Sequence, residues 1–153
     1  MVLSLTSRYA LQALVYLGAQ APEPAYAWEI AQKTGIPARY LAKIMHTLAR
    51  HRLVTSVRGR GGGFRLARPP EAIVLHEVVS LFEDPSFPQD CLLGQKFCSD
   101  QAPCQAHAVW QPISERLRTF FQTTTLADLI RRSPAGPPVP AVETAPSSAA
   151  DTP

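Results

Sequence analysis

Between two strand-like runs at residues 53–57 and 64–67, the chain reads Arg58-Gly59-Arg60-Gly61-Gly62-Gly63. Glycine accepts backbone angles that a β-carbon forbids and lets the main chain approach another surface closely, so this segment predicts the tip of a β-hairpin. A hairpin by itself cannot bury enough apolar surface to persist in water. The core must come from what precedes it. The same glycines could cradle a nucleotide phosphate, but no Gly-Lys-Ser/Thr follows and no helix opens after them, which sets that reading aside.

The preceding residues are helical in period. Ala10, Ala13, Leu14 and Leu17 recur at i, i+3, i+4 and i+7 and predict an amphipathic helix over residues 7–20, with Thr6 or Ser7 as its N-cap and Pro22 and Pro24 closing it. A second helix is expected over residues 27–34, carrying Trp28, Ile30 and Ala31, and a third over residues 38–50, with Leu41, Ile44, Met45 and Leu48 facing inward. Gly35 fits the tight turn between them, and Ala31 is small where two helices must approach. This is a helix-turn-helix layout, and a hairpin directly after one is a wing. The expected fold class is mainly α, a winged helix-turn-helix of three helices and a two-stranded β-wing with a long C-terminal helix.

The formal net charge of +3 hides a split. Residues 1–68 carry ten Lys and Arg against Glu23 and Glu29, a net of +8, while residues 69–153 carry five against ten Asp and Glu, a net of −5. A front half this basic suits a polyanion, since each neutralised phosphate releases condensed counterions. A basic face that is only solvated is the plain alternative. The outward face of the third helix presents Arg39, Tyr40, Lys43, His46, Thr47 and Arg50. All of these can donate to phosphates or base edges; Arg39 and Lys43, near the helix start, are placed for major-groove edges, while Tyr40 and His46 suit packing or solvent as well. On the wing, Arg58, Gly59, Arg60 and Arg65, with Arg68 behind them, suit phosphate or minor-groove contacts.

Pro69 and Pro70 end the hairpin, and residues 73–83 predict a further helix with Ile73, Val74, Glu77, Val78 and Leu81 inward. All three cysteines then fall close together, Cys91, Cys98 and Cys104, with His107 three residues later. An odd number of thiols and no mark of an oxidising compartment argue against a disulfide framework. Zinc held by three Cys and one His is chemically sound, but zinc sites usually include a close C-x₂-C pair, and here six and five residues intervene. Gln95, Lys96, Asp100 and Gln105 make the stretch too polar for buried, unligated thiols. A loop of this size without periodicity is explained by wrapping around something. An iron-sulfur cluster leads, since thiolates are its normal ligands and imidazole can take the fourth place. A zinc site or a thiol-based redox switch stands as the alternative.

At this point the chain resembles the winged-helix iron-sulfur transcription regulators of the IscR, NsrR and RirA type. The resemblance is carried by Leu5-Thr6-Ser7-Arg8-Tyr9-Ala10-Leu11, Ile30-Ala31, Thr34-Gly35-Ile36-Pro37, Tyr40-Leu41, Leu53-Val54, Ser56-Val57-Arg58-Gly59 and Gly61-Gly62-Gly63-Phe64-Arg65-Leu66-Ala67-Arg68-Pro69. It covers about residues 3–130. The glycine-rich wing and the three-cysteine loop together are specific, and the helix-turn-helix alone is not. The resemblance implies a homodimer that binds palindromic double-stranded promoter DNA and senses cluster state, iron or nitric oxide. Cys104-Gln-Ala-His107-Ala-Val-Trp110 is most similar to the IscR type, which implies a 2Fe-2S cluster on Cys91, Cys98, Cys104 and His107, with 4Fe-4S left open by the longer Cys91 to Cys98 spacing. The NsrR type takes an acidic ligand near the N-terminus, and here no carboxylate precedes Glu23. Ala42 replaces the IscR carboxylate on the third helix, so operator preferences do not carry over.

After the loop, Trp110, Ile113, Leu117, Phe120 and Phe121 line one side of a helix expected over residues 106–122, with Pro112 a kink or a first-turn residue. In the family the corresponding helix crosses its twin, which makes this strip the expected dimer seam. Leu126, Leu129 and Ile130 suggest a short last helix. The expected organisation is a DNA-binding domain over residues 1–70, a cluster loop with dimerisation helices over 71–132, and a disordered tail over 133–153 that holds six of the fifteen prolines. No stretch approaches the roughly 18 apolar residues of a membrane span and no secretory leader is evident, so a cytoplasmic protein without membrane contact is expected. No nucleophile–base pair or carboxylate pair predicts an enzyme. An electron carrier would leave the basic wing and helix-turn-helix idle.

Overall fold

The computed structural model describes residues 3–59, 61–88, 91–94 and 100–132. In order they form α1 (Leu5–Gln20), α2 (Ala27–Thr34), α3 (Ala38–Arg50), β1 (Val54–Val57), β2 (Gly63–Leu66), a 3₁₀ turn at Pro70–Ala72, α4 (Leu75–Val79), α5 (His107–Thr123) and α6 (Leu126–Arg132). The chain adopts the expected class, mainly helical with a two-stranded antiparallel wing and a long C-terminal helix.

The core is built on α1, whose Tyr9, Ala10, Ala13, Leu14 and Leu17 pack with Leu41, Ile44, Met45 and Leu48 of α3. Each fully buried leucine or isoleucine contributes roughly 1.5–3 kcal/mol. The helix starts earlier than its hydroxyl residues suggested. Ser4 is the N-cap, its Oγ accepting from the Ser7 amide at 3.2 Å, and Ser7 is buried in the first turns, where its hydroxyl accepts from Ser4 Oγ at 3.2 Å. α2 and α3 span the expected residues, and between them Gly35 adopts φ 71°, the left-handed angle that ends a helix at least cost to glycine.

In the wing Val54 pairs with Leu66, Thr55 with Arg65, Ser56 with Phe64 and Val57 with Gly63. A pairing that no local pattern announced adds a third strand-like contact. Ala25, just before α2, exchanges two backbone hydrogen bonds with Phe64, at 2.9 and 2.8 Å. The tip end of β2 is thereby fixed to the segment that opens the helix-turn-helix.

The helix expected over residues 73–83 is a correction. Only Leu75–Val79 is α-helical, because Val74 forms an antiparallel bridge with Thr125 instead. Flanking it, the Leu75 amide donates to the Thr124 carbonyl at 2.9 Å and the Leu126 amide to the Ile73 carbonyl at 2.8 Å. This clasp joins the chain entering α4 to the chain leaving α5. The inward residues are Ile73, Leu75, Val78 and Val79, while Val74 and Glu77 are half-buried.

The strip on α5 is also divided. Phe121 is buried against Leu75 and Val79 and meets Phe87 edge-on at 5.4 Å, whereas Ile113 and Phe120 are exposed with Val109. Phe120 and Phe121 lie about 100° apart around the axis, and the edge of the buried face runs between them. Pro112 lies inside the helix. α6 returns to α1, where Ile130 sits so close to Gly18 that a β-carbon there would come within 2.3 Å of Ile130 Cδ1, with Leu66 of the wing at 3.5 Å. The tail over residues 133–153 lies outside the described residues. Among those described, no helix is long and apolar enough to cross a membrane.

Candidate nucleic-acid interface and metal centre

Helical spacing sets Arg39, Lys43, His46 and Arg50 in one exposed line along α3, since the opposite face is taken up by the core. Tyr40, half exposed, leans toward the Tyr9 ring with centroids 6.4 Å apart, so it is shared between packing and surface. Thr47 donates its hydroxyl back to the Lys43 carbonyl at 3.2 Å. Four cationic or imidazole side chains on one face of α3 make a surface that fits a phosphate-lined groove.

On the wing, Arg58 and Arg65 are exposed, and Gly59 and Gly61 adopt φ 95° and 79°. The Gly62 amide donates to the Gly59 carbonyl at 2.9 Å and closes the tip. Arg60 lies outside the described residues. Arg68 does not join the basic tip: its guanidinium pairs with Glu77 at 2.5 Å and donates to the Ala72 carbonyl at 3.3 Å. Sequence reasoning missed Tyr26, whose hydroxyl accepts from the Gly61 amide at 2.9 Å. An aromatic pair, Tyr26 and Trp28, beside the second helix was its only signal. Glu29 supports the same corner, accepting from the Tyr26 amide and the Tyr16 hydroxyl, both at 3.4 Å. Burial, with that carboxylate beside it, raises the Tyr16 phenol above its ordinary value.

In the cysteine loop, Cys91 is buried and Cys104 half-buried, with their sulfurs 3.7 Å apart. That is beyond the roughly 2.05 Å of a disulfide bond. Cys91 is set by a turn in which its carbonyl accepts from Gly94, and Cys104 by the start of α5, where its carbonyl accepts from the His107 amide at 3.0 Å. His107, the first residue of α5, is largely buried in its side chain and pairs through Nε2 with the exposed Asp100 carboxylate at 2.8 Å. Asp100 was not singled out by its sequence position. Cys98 lies outside the described residues, and among those described no three His, Cys, Asp or Glu side chains gather closely enough to hold a metal ion. Two adjacent thiols and an imidazole one turn away are nonetheless the donor types an iron-sulfur cluster uses.

A basic α3 and a glycine-tipped wing held to the segment just before α2 define a winged helix-turn-helix DNA-binding regulator. The chain belongs to the Rrf2 family, iron-dependent transcriptional regulators, whose family model matches residues 3–132. It is 40% identical over 132 residues to a putative HTH-type transcriptional regulator of Aquifex aeolicus, covering 85% of this chain and 92% of that one. It is 32% identical over 132 residues to the HTH-type transcriptional regulator IscR of Xenorhabdus nematophila, covering 86% and 80%. Its fold is similar to that of CymR, the global cysteine regulator of B. subtilis, with a TM-score of 0.73 and 27% identity, covering 88% and 99%. The protein is a DNA-binding transcription regulator and not an enzyme.

Proposed function

We propose that the protein acts as a homodimer on palindromic promoter DNA and that an iron-sulfur cluster in the cysteine loop controls this binding. In this reading residues 1–70 bind DNA, with Arg39, Tyr40, Lys43 and Arg50 of α3 in the major groove and on its phosphates, and Arg58, Gly59, Arg60 and Arg65 of the wing on the adjoining backbone or minor groove. Residues 71–132 carry the cluster loop and the dimer helix. Cys91, Cys98, Cys104 and His107 are the proposed ligands, of a 2Fe-2S cluster first and a 4Fe-4S cluster second. Bound there, the cluster would supply a site that responds to oxidant, nitric oxide or iron supply. The observation that carries the reading is the 3.7 Å approach of the Cys91 and Cys104 sulfurs, thirteen residues apart in a polar loop.

The protein's own residues do the rest. Cys91 lies in a buried niche, Cys104 stands at the head of α5, and His107 begins the same helix. A change at these side chains is therefore delivered directly to the helix that bears Val109, Ile113 and Phe120, the exposed apolar residues proposed as the dimer seam. Two half-sites one helical turn apart need two copies held in fixed register. The same sulfur approach favours a second reading, a thiol switch. The two thiols would close to a disulfide, releasing two protons and passing two electrons to an oxidant such as peroxide.

Anaerobic purification followed by visible absorption and iron and sulfide counts tests the first reading. A coloured protein with equal iron and sulfide is expected, and Cys104→Ala should lose most of the iron. Colourless protein whose thiol count falls by two per chain on peroxide treatment would establish the switch instead. His107→Ala with an unchanged spectrum and acid lability would remove the imidazole from the ligand set.

A further inference from the structure

Two aromatic rings stand in water beside the wing. Tyr26 is 40% exposed and Trp28 65%, and their rings stack with centroids 6.2 Å apart and planes 17° from parallel. Burial does not explain them. The Tyr26 hydroxyl accepts from the amide of Gly61 at the wing tip, at 2.9 Å and across 35 residues of chain. Among the described residues, a β-carbon on Gly59 or Gly61 would meet no atom within 4 Å, so side-chain packing does little to hold the tip. Two consecutive residues thus grip the tip half of the hairpin, Ala25 through Phe64 at the start of β2 and Tyr26 through Gly61 in the tip itself.

We propose that Tyr26 is a positioning residue for DNA recognition. Its hydroxyl fixes the glycine-rich tip against the helix-turn-helix, and Trp28 stiffens its ring, so that the wing meets the duplex in a set register with α3. A hydrogen bond between two solvent-exposed groups adds little to folding, because each finds water when the pair separates. Its effect appears at binding, where a tip already ordered loses less conformational freedom. The inference rests on the proposed contact of the wing with DNA.

The test uses the full chain and a duplex selected by the wild-type protein from a random pool. Tyr26→Phe should weaken binding about fivefold, the equivalent of one net hydrogen bond, and lower the salt slope by up to about one unit. The melting temperature should stay constant, and the Gly61 amide should exchange faster with solvent. Combined with Arg58→Ala it should lose less than the two single variants predict together, because an unbraced tip already delivers Arg58 poorly. Unchanged affinity of Tyr26→Phe while Arg58→Ala weakens binding, or Gly61 exchange unaffected by the substitution, would overturn the role of Tyr26 alone. Unchanged affinity of Arg58→Ala would remove the wing from DNA and overturn both readings.

Discussion

A β-carbon on Gly63 would lie 2.3 Å from the carbonyl oxygen of Ala25. Gly63 also has φ 134°, an angle that side chains rarely adopt, so Gly63→Ala meets a backbone wall and a strained conformation together. The expected loss is roughly 2–4 kcal/mol, because the Ala25–Phe64 pairing must shift to make room. Gly59→Ala, at φ 95° but in open space among the described residues, should cost only about 1 kcal/mol. Urea unfolding of the two variants checks the order, and equal losses would contradict the close approach.

The arginines behind the glycines should separate into two kinds. Arg58→Ala and Arg65→Ala, both exposed, should weaken DNA binding by roughly 1–3 kcal/mol each and reduce the salt slope by about one. Arg68→Ala should leave the salt slope nearly unchanged, since its guanidinium is already engaged by Glu77. Gel shifts at several salt concentrations resolve the difference.

On α5 the two neighbouring phenylalanines should respond differently. Ile113→Asp or Phe120→Asp places a charge on the exposed face and should dissociate the proposed dimer while each chain stays folded, because an unpaired carboxylate buried at a seam costs several kcal/mol. Phe121→Ala instead empties a site in the chain's own core and should cost about 3–5 kcal/mol of stability. Sedimentation reads the first effect and thermal unfolding the second. A folded Ile113→Asp variant that stays fully dimeric would move the seam elsewhere.

Acid should loosen α6 through one carboxylate. Asp128 accepts from the Thr125 amide at 2.9 Å and from its hydroxyl at 2.8 Å, while its own amide donates to Thr125 Oγ1 at 3.3 Å, a reciprocal cap at the helix start. Those bonds, led by the one from the Thr125 backbone, hold the Asp128 carboxyl below its ordinary value, with Arg131 adding to them. A depressed carboxylate stabilises the fold at pH above its unfolded value of about 3.9, and that stability is lost as pH falls through the lower folded value. Asp128→Asn should remove this part of the acid dependence. Identical stability–pH curves for the two proteins below pH 5 would contradict the cap.

What the sequence made legible was set by local period. α2 and α3 matched residue for residue because Ile30, Leu41, Ile44 and Leu48 mark one face and Gly35 marks the break. The start of α1 was misread because Thr6 and Ser7 look like caps, and only the Ser4 to Ser7 bond shows which hydroxyl serves. The Ala25–Phe64 pairing and the Val74–Thr125 bridge join residues 39 and 51 positions apart, which no window of a dozen residues can register. At the candidate site, the basic line on α3 followed from spacing, but the loss of Arg68 to Glu77 depended on how the chain folds back after Pro70. Neither Asp100 beside His107 nor Tyr26 beneath Gly61 carried a pattern of its own.

The clasp between Val74 and Thr125 gives the thiol loop and α5 a common doorway. The chain passes through the clasp into α4, whose Val78 packs in the main core, and comes back to it at the end of α5, so both ends of this excursion are pinned at one place. Coupling between distant sites runs through packed, contiguous contacts. From the doorway such a track leads along α6 to Ile130, across Gly18 of α1, and on to Leu66 at the root of the wing. A single glycine without a side chain thus stands where a strain raised in the sulfur-bearing loop would pass into the hairpin proposed to meet DNA.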